Sequence, residues 1–387
     1  MYYSENCYKI KKFSSLNTPV KAGIMRKVLI IIIILINILS AHSQIDNMKQ
    51  FDLLHRVTIS GDWFIAYRID KVDGENWEYK FILKRSYFTI NKEINDVFNI
   101  RYTQDLTLDK EGDDAGNVET KIKYLYLKVK PKFNGLISGS FIEIGMVHRP
   151  WLTYEQNVNV YRVQGNMAVE QNKLFNSAGF GVLLGGNIGP KMDKEYLTNI
   201  SSTMKGKYAS YAIGLYNGGG YASFEKNSNK VIEGILNVRP FANAIPQIQL
   251  TYAFNLGKGN TVEAPDFNQF LFHGGFIGEK IIISGQYHFG KGDYKGKYTD
   301  ALNPYKALKN NGYSVFGEYK FNNSPFAIFI RYDYFEIKDS LTKIIEREIV
   351  GIKYNFYNNL SFVLTGENMT EESTNNLIID LNLQISF

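Results

Sequence analysis

The segment Phe141–Gly186, FIEIGMVHRPWLTYEQNVNVYRVQGNMAVEQNKLFNSAGFGVLLGG, decides the reading of this chain. Two short runs of alternating polarity, FIEIGMV and FGVLLGG, enclose a connection of about thirty residues, far beyond ordinary loop length. Its interior gathers His148, Arg149, Trp151, Tyr154, Glu155, Tyr161, Arg162, Glu170 and Lys173. Hairpins flank it on both sides. Where hairpins close into a barrel, a connection this long either stands above the rim or turns into the lumen, and the inward fold is the expectation here.

Working outward, the 387 residues carry 33 Gly, 27 Tyr and 26 Phe against only 9 Pro, which favours many strands over helices. From Met25 the sequence runs MRKVLIIIIILINILSAHSQ. Arg26 and Lys27 precede an apolar run from Val28 to Leu39, with Ala41 and Ser43 at the small-residue positions before Gln44, the pattern of a secretory leader. That run is too short for a spanning helix, which needs about 20 residues. Residues 1–24 read as an upstream extension, 25–43 as the signal peptide and 44–387 as the mature domain. Removing residues 1–43 takes away six Lys or Arg and one Glu, so the formal charge falls from +6 to 38 minus 37, or +1. The apparent basicity belongs to the leader, and no nucleic-acid footprint survives it. The single Cys, Cys7, leaves as well, which excludes thiol chemistry and a disulfide framework in the mature chain.

Sixteen candidate strands follow, at 57–69, 77–90, 96–108, 119–130, 137–147, 179–188, 207–217, 230–240, 247–256, 269–277, 280–290, 312–321, 325–337, 343–356, 360–368 and 376–387. Alternation is clearest in the last. Leu377, Ile379, Leu381, Leu383, Ile385 and Phe387 share one face, and Asp380, Asn382, Gln384 and Ser386 the other. Connections after even strands are mostly short (INKEIN, KFNNSP, YNN), whereas those after odd strands are mostly longer (DKEGDDAGN, NGGGYASFEKNSN, GKGDYKGKYTDALNPYKALKNN). The exceptions are the short KDSLTK and the long GPKMDKEYLTNISSTMKG, which has room for a small helix. This is the rhythm of a transmembrane antiparallel β-barrel, all-β, with about sixteen strands and an inward-folded third outer loop at 148–178.

The motifs GMVHRPW, YRVQGNMAVEQNKLFNSAGFGVLLGG and YASYAIGLYNGGGY resemble the phosphate-selective porins O and P and their broader exported relatives. The terminal NLIIDLNLQISF, ending on Phe387, is similar to the signal by which the barrel-assembly machinery recognises outer-membrane proteins. The resemblance implies a Gram-negative outer-membrane location, contact with lipid and lipopolysaccharide, a trimer, and passive diffusion of small solutes or of anions such as phosphate. It implies no cofactor. The sequence departs from that family in having no regular arginine ladder, which counts against phosphate specificity.

Charged rings set selectivity in pores. Arg149, Arg162 and Lys173 facing Glu155 and Glu170 would place a transverse field across a constriction; the alternative is that these charges pair and anchor the loop. Trp151, Tyr154 and Tyr161 fit anchoring to the wall better than sugar stacking. Arg101, Glu143, Arg331 and Lys353 fall on the polar phase of their strands as lumen-wall residues, with Asp105, Glu318 and Asp333 beside them. DKEGDD at Asp109–Asp114 lacks the ligand order of an EF-hand and reads as a solvated loop, with no metal site. The Lys291–Lys309 loop carries Lys291, Lys295, Lys297, Lys306 and Lys309, suited to drawing anions to the mouth or to meeting lipopolysaccharide. Ser284, His288 and Asp293 are the nearest approach to a hydrolase triad, but Ser284 and His288 lie about 13 Å apart on one strand face, so the chain reads as no enzyme. A channel and a structural or docking barrel of an envelope assembly are the two functions in play.

The leader reading makes a direct prediction. Intact-mass measurement of the exported protein should show cleavage between Ser43 and Gln44; retention of residues 28–39 would contradict it.

Overall fold

Sixteen strands pair edge to edge, all antiparallel, and the last closes on the first. The computed structural model describes residues 55–109, 115–132, 135–339 and 342–387, and Arg56–Phe387 forms one compact unit. The leader, the upstream extension and all of the DKEGDD candidate after Asp109 lie outside the described residues. The barrel strands are β1 (Val57–Val72), β2 (Glu78–Glu93), β3 (Phe98–Leu108), β4 (Val118–Val129), β5 (Ile137–His148), β6 (Ala178–Ile188), β7 (Ala209–Asn217) and β8 (Lys230–Val238). They continue with β9 (Ile248–Lys258), β10 (Asp266–Ile277), β11 (Ile281–Lys291), β14 (Lys309–Lys320), β15 (Phe326–Lys338), β16 (Thr342–Tyr357), β17 (Leu360–Glu371) and β18 (Thr374–Ser386). Every predicted strand is present, with each end within three residues of its predicted position. Between β11 and β14 a small separate hairpin, β12 (Thr299–Asp300) and β13 (Asn303–Ala307), was not foreseen.

Polarity runs opposite to that of a soluble barrel. On β18, Leu381 is 49% exposed while its neighbours Asp380 and Asn382 are buried, and the same phase holds for Leu250 against Gln249 and for Phe362 against Ser361. Ile283, Ile330 and Val350 stand on the outside with half or more of their surface free. Each exposed apolar side chain of this size forgoes about 1.5–3 kcal/mol of burial in water, so a whole belt of them is stable only in hydrocarbon. Ring pairs edge the belt at the short-turn end, with Trp63 on Phe387 (5.4 Å) and Phe326 on Tyr354 (4.8 Å). Tyr313 on Tyr334 (5.2 Å) lies toward the other end. This is the girdle arrangement of membrane barrels.

The connection rhythm is less regular than the sequence suggested. On the long-loop side, 73–77, 259–265, 339–341 and 372–373 are short, and only 109–117, 149–177, 218–229 and 292–308 are extensive. The long connection after β6 contains a helix, α3 (Lys194–Asn199), capped by the Asp193 side chain accepting from the Tyr196 amide at 2.7 Å. Two bulges change which side chains face inward. Phe64 pairs with Arg85 but Ile65 with Leu83, and Thr103 pairs with Tyr124 but Gln104 with Ile122. The extra residues are Lys84 and Lys123, and both are turned to the inner, polar face.

The closing seam carries the terminal residue. The Gly61 and Phe387 main chains exchange both hydrogen bonds (2.9 and 3.0 Å), and a Cβ on Gly61 would collide with the Phe387 ring. Deleting Phe387 removes the last rung and the ring on Trp63, so the yield of folded, heat-modifiable barrel in membranes should fall; an unchanged yield would show the residue dispensable.

Candidate functional site

The segment between β5 and β6 is built around two carboxylates that act as helix caps. A helix α1 (Pro150–Val158) begins with Pro in its first turn and has no cap from its own neighbouring side chains. The first-turn amide of Trp151 instead donates to Glu233 of β8 at 3.0 Å, and the Arg149 guanidinium pairs with the same carboxylate. Arg149 is fully buried, donates also to Asn255 of β9, and lies 4.6 Å over the Tyr216 ring. A second, one-turn helix α2 (Ala168–Gln171) receives its cap from Glu155, whose Oε1 accepts from the Ala168 amide (3.2 Å) and from Gln286 of β11 (2.8 Å). The Trp151 indole donates to the other oxygen at 3.1 Å. Burial pushes the Glu155 carboxyl up to about 7, against the pull of Arg331.

Outward from these caps the segment bonds to strands around most of the circumference. Tyr154 meets His273 of β10 at 2.8 Å. The Tyr161 hydroxyl donates to Glu318 of β14, and its ring stacks 3.8 Å from Phe329 of β15. Arg331 of β15 donates to the Asn166 carbonyl (2.9 Å), and Arg347 of β16 to Asn172 (2.7 Å). Gln164 donates to Glu367 of β17, while its carbonyl accepts from Lys84 of β2 at 2.7 Å. Arg162 pairs with Glu170 at 2.9 Å and donates to Tyr87 of β2 at 3.0 Å. Burial works to raise the Glu170 carboxyl, but Arg162, Lys123 and Arg85 together hold it below the ordinary range. Lys173 is exposed, its main chain in the left-handed region (φ 56°) where the short helix ends.

The named residues therefore do not gather at one spot. Arg162 and Glu170 are brought together; Arg149 pairs with Glu233 instead of a loop acid, and Lys173, its side chain exposed, donates its main-chain amide to the Glu170 carbonyl at 3.0 Å. Trp151, Tyr154 and Tyr161 are all buried against the wall. Among the wall residues, Glu143 lies buried between Lys128 and His148 (both 2.9 Å), and Arg101 sits 4.7 Å over the Tyr124 ring. Arg331 is bound to Asp333, and Lys353 lies 6.0 Å over the Tyr161 ring. Ser284 lines a cavity of about 20 Å³ beside Glu155 and Gln286, whereas Asp293 spends its oxygens on the amides of Lys295, Lys297 and Tyr298. Among the described residues no hydrogen bond joins Ser284, His288 and Asp293.

The sequence reading named Arg101 and Asp105 of β3 but missed the cations Arg68, Lys84, Arg85 and Lys123 around them. Arg68 and Lys84 both bind Asp380 (2.8 and 2.7 Å), Arg85 lies 3.7 Å from Asp105, and Lys123 donates to Tyr87 (3.1 Å). Three of the cations keep solvent contact while the acids do not: side-chain exposure is 23% for Arg68, 22% for Arg85 and 29% for Lys128, against 3% for Asp380 and 0% for Asp105 and Glu143, whereas Lys123 is buried. Positive charge lies over negative charge on this wall.

No family model matches the sequence, and no curated protein matches it. Solved structures do. An anion-selective porin from Comamonas acidovorans is 9% identical with a TM-score of 0.56, over 86% of this chain and 99% of that one. Salmonella typhi OmpF in complex with daunomycin is 10% identical at 0.56, covering 86% and 97%. A loop L8 deletion mutant of OmpT, an outer-membrane protein of Vibrio cholerae, is 12% identical at 0.56, covering 86% and 100%. The fold is that of outer-membrane porins. At such identities the likeness is one of architecture, and the site must be argued from its own residues.

The double role of Glu233 makes it the sensitive position. Glu233→Ala leaves Arg149 buried without its anion and the α1 amide without its cap, a loss of about 3–5 kcal/mol for a broken buried pair. Urea unfolding should show a matching drop; a wild-type midpoint would mean that the pair contributes nothing.

Proposed function

We propose that this protein is an outer-membrane porin, exported by a cleaved leader at 25–43, that passes small hydrophilic solutes by diffusion and prefers anions. In this reading residues 149–177 fold into the lumen and narrow it, which accounts for bonds from one segment to β2, β8, β10, β11 and β14 through β17. The loop packs against β8 to β17 and reaches β2 through Gln164 and Arg162, and the side chains of Arg68, Arg85 and Lys128 keep contact with solvent. One OmpT structure is described as a trimer form, and a trimer is part of the proposal.

What carries the anion preference is the layering on that wall. Arg68, Arg85 and Lys128 reach solvent, and their partners Asp380, Asp105 and Glu143 lie beneath them. In a narrow passage bounded by protein and lipid, fixed charges act more strongly than at an open surface, because fewer waters and counter-ions screen them. A permeating anion meets the guanidinium and ammonium groups first. Arg149, in contrast, is spent on Glu233 and contributes position, not field. A plugged docking barrel would require this side to be closed as well, and the exposure of the three cations there counts against it.

The test is ion preference. Arg85→Ala with Lys128→Ala uncovers Asp105 and Glu143, so the reversal potential in a salt gradient across a planar bilayer should move toward cation selectivity, with the barrel still heat-modifiable. An unchanged reversal potential would place the permeation path elsewhere.

A further inference from the structure

The longest connection at the short-turn end, 189–208 between β6 and β7, is folded into an arm. Its two limbs pair as a narrow hairpin: the Lys207 amide donates to the Pro190 carbonyl at 2.7 Å and that of Met192 to Lys205 at 2.8 Å, with Lys191 opposite Gly206 between them. Gly206 lets the arm lie flat on the wall. A Cβ there would collide with the Ala209 carbonyl, and the Gly206 amide donates to Ser210, on the buried polar phase of β7, at 2.8 Å. About two residues suffice to close a hairpin, so the added length serves something besides connection.

Beyond the rungs, α3 and the chain after it turn toward the 149–177 segment. The Tyr196 hydroxyl donates to the Pro246 carbonyl (3.3 Å) and accepts from Gln249 of β9 (3.0 Å), whose side chain is on the face opposite the exposed Leu250. The Arg239 guanidinium lies 5.3 Å over the Tyr196 ring and donates to the Gly206 carbonyl at 2.6 Å. Arg239 and Tyr196 both act electrostatically on the Tyr154 hydroxyl of α1. Ile200 and Met204 pack on the buried cluster that holds Tyr154 and Val158, and the Ser202 hydroxyl donates to Asn157 of α1 at 3.5 Å.

The arm also carries charge. Lys191 and Lys205 are exposed, and among the described residues neither is in an ion pair, whereas Lys128 and Lys130 of the neighbouring wall meet Glu143 and Glu93. The Lys191 stem passes Gly139 of β5, where a Cβ would sit 2.9 Å from it. Partial burial, and then the ammonium groups of Lys191, Lys128 and Lys130, hold the Lys205 amine below its ordinary range. Four cations share this part of the mouth.

We propose that residues 189–208 form a second constriction of the passage, entering from the short-turn end beneath α1 and presenting Lys191 and Lys205 to the permeating anion. The inference rests on the channel reading and adds a filter at the end opposite the long loops.

The test places one thiol on the arm, in single Lys191→Cys and Lys205→Cys variants recorded in planar bilayers. A thiosulfonate reagent carrying a sulfonate should react faster from the chamber at the short-turn end, lower single-channel conductance in a step and move the reversal potential toward cations. The wild type, treated alike, should not respond. Replacing Met192–Lys205 by Asn-Gly should raise conductance in a barrel that stays heat-modifiable; where the shortened barrel does not fold, the thiol variants decide alone. Labelling confirmed by mass, with conductance and reversal potential unchanged in both variants, would overturn the proposal, as would wild-type conductance in the folded, shortened barrel. A wild type that carries no current would instead overturn the channel reading, and the second constriction with it.

Discussion

A sheet edge cannot stand open in hydrocarbon, because each unpaired amide or carbonyl there costs several kcal/mol with no water to satisfy it. That constraint organises the chain. β1 must find β18 across the full length of the sequence, and it does so over an unbroken register from Asp62–Ser386 to Val72–Asn376. Once the sheet is closed, alternation has only two destinations: lipid outside and lumen inside. Leu, Ile, Val and aromatic side chains take the first, and the second receives Asn, Gln, Ser, Thr and charge.

A polar lumen lined by strands creates its own difficulty, since acids and bases crowded into a tube must be paired or solvated. The barrel uses both solutions on different sides. Toward β8 through β16 the long segment supplies partners, with Glu233 and Glu155 serving at once as ion-pair or hydrogen-bond acceptors and as caps for α1 and α2. Toward β1 through β4 the pairs lie in layers, cations outermost. The segment meets both sides, since Gln164 and Arg162 bond to Lys84 and Tyr87 of β2.

Strand existence was legible because period-two alternation and turn residues persist in every segment, and even the irregular β5 keeps its Ile142, Ile144 and Glu143 phase. The bulges at Lys84 and Lys123 were not legible. Nothing in ILKRSYF or KIKYLYL marks which residue is extra, since that is decided by the partner strand's register, and so Lys84 and Lys123 escaped notice. The Arg162–Glu170 pair is local and could be anticipated from eight residues of sequence. Arg149 with Glu233 could not, because the two lie 84 residues apart and meet only after closure. The small helices of the long segment were missed for a related reason: their caps come from distant strands or across the loop and leave no capping box in the sequence.

The account stands or falls on whether the long segment occupies the conducting path. Single-channel conductance in planar bilayers, compared between the intact chain and one lacking Trp151–Lys173, is the direct measurement. A loop lying across the lumen predicts a clear rise in conductance and weaker ion preference on deletion, in barrels that remain heat-modifiable. Equal conductance in the two channels would place the segment outside the pore and contradict the account.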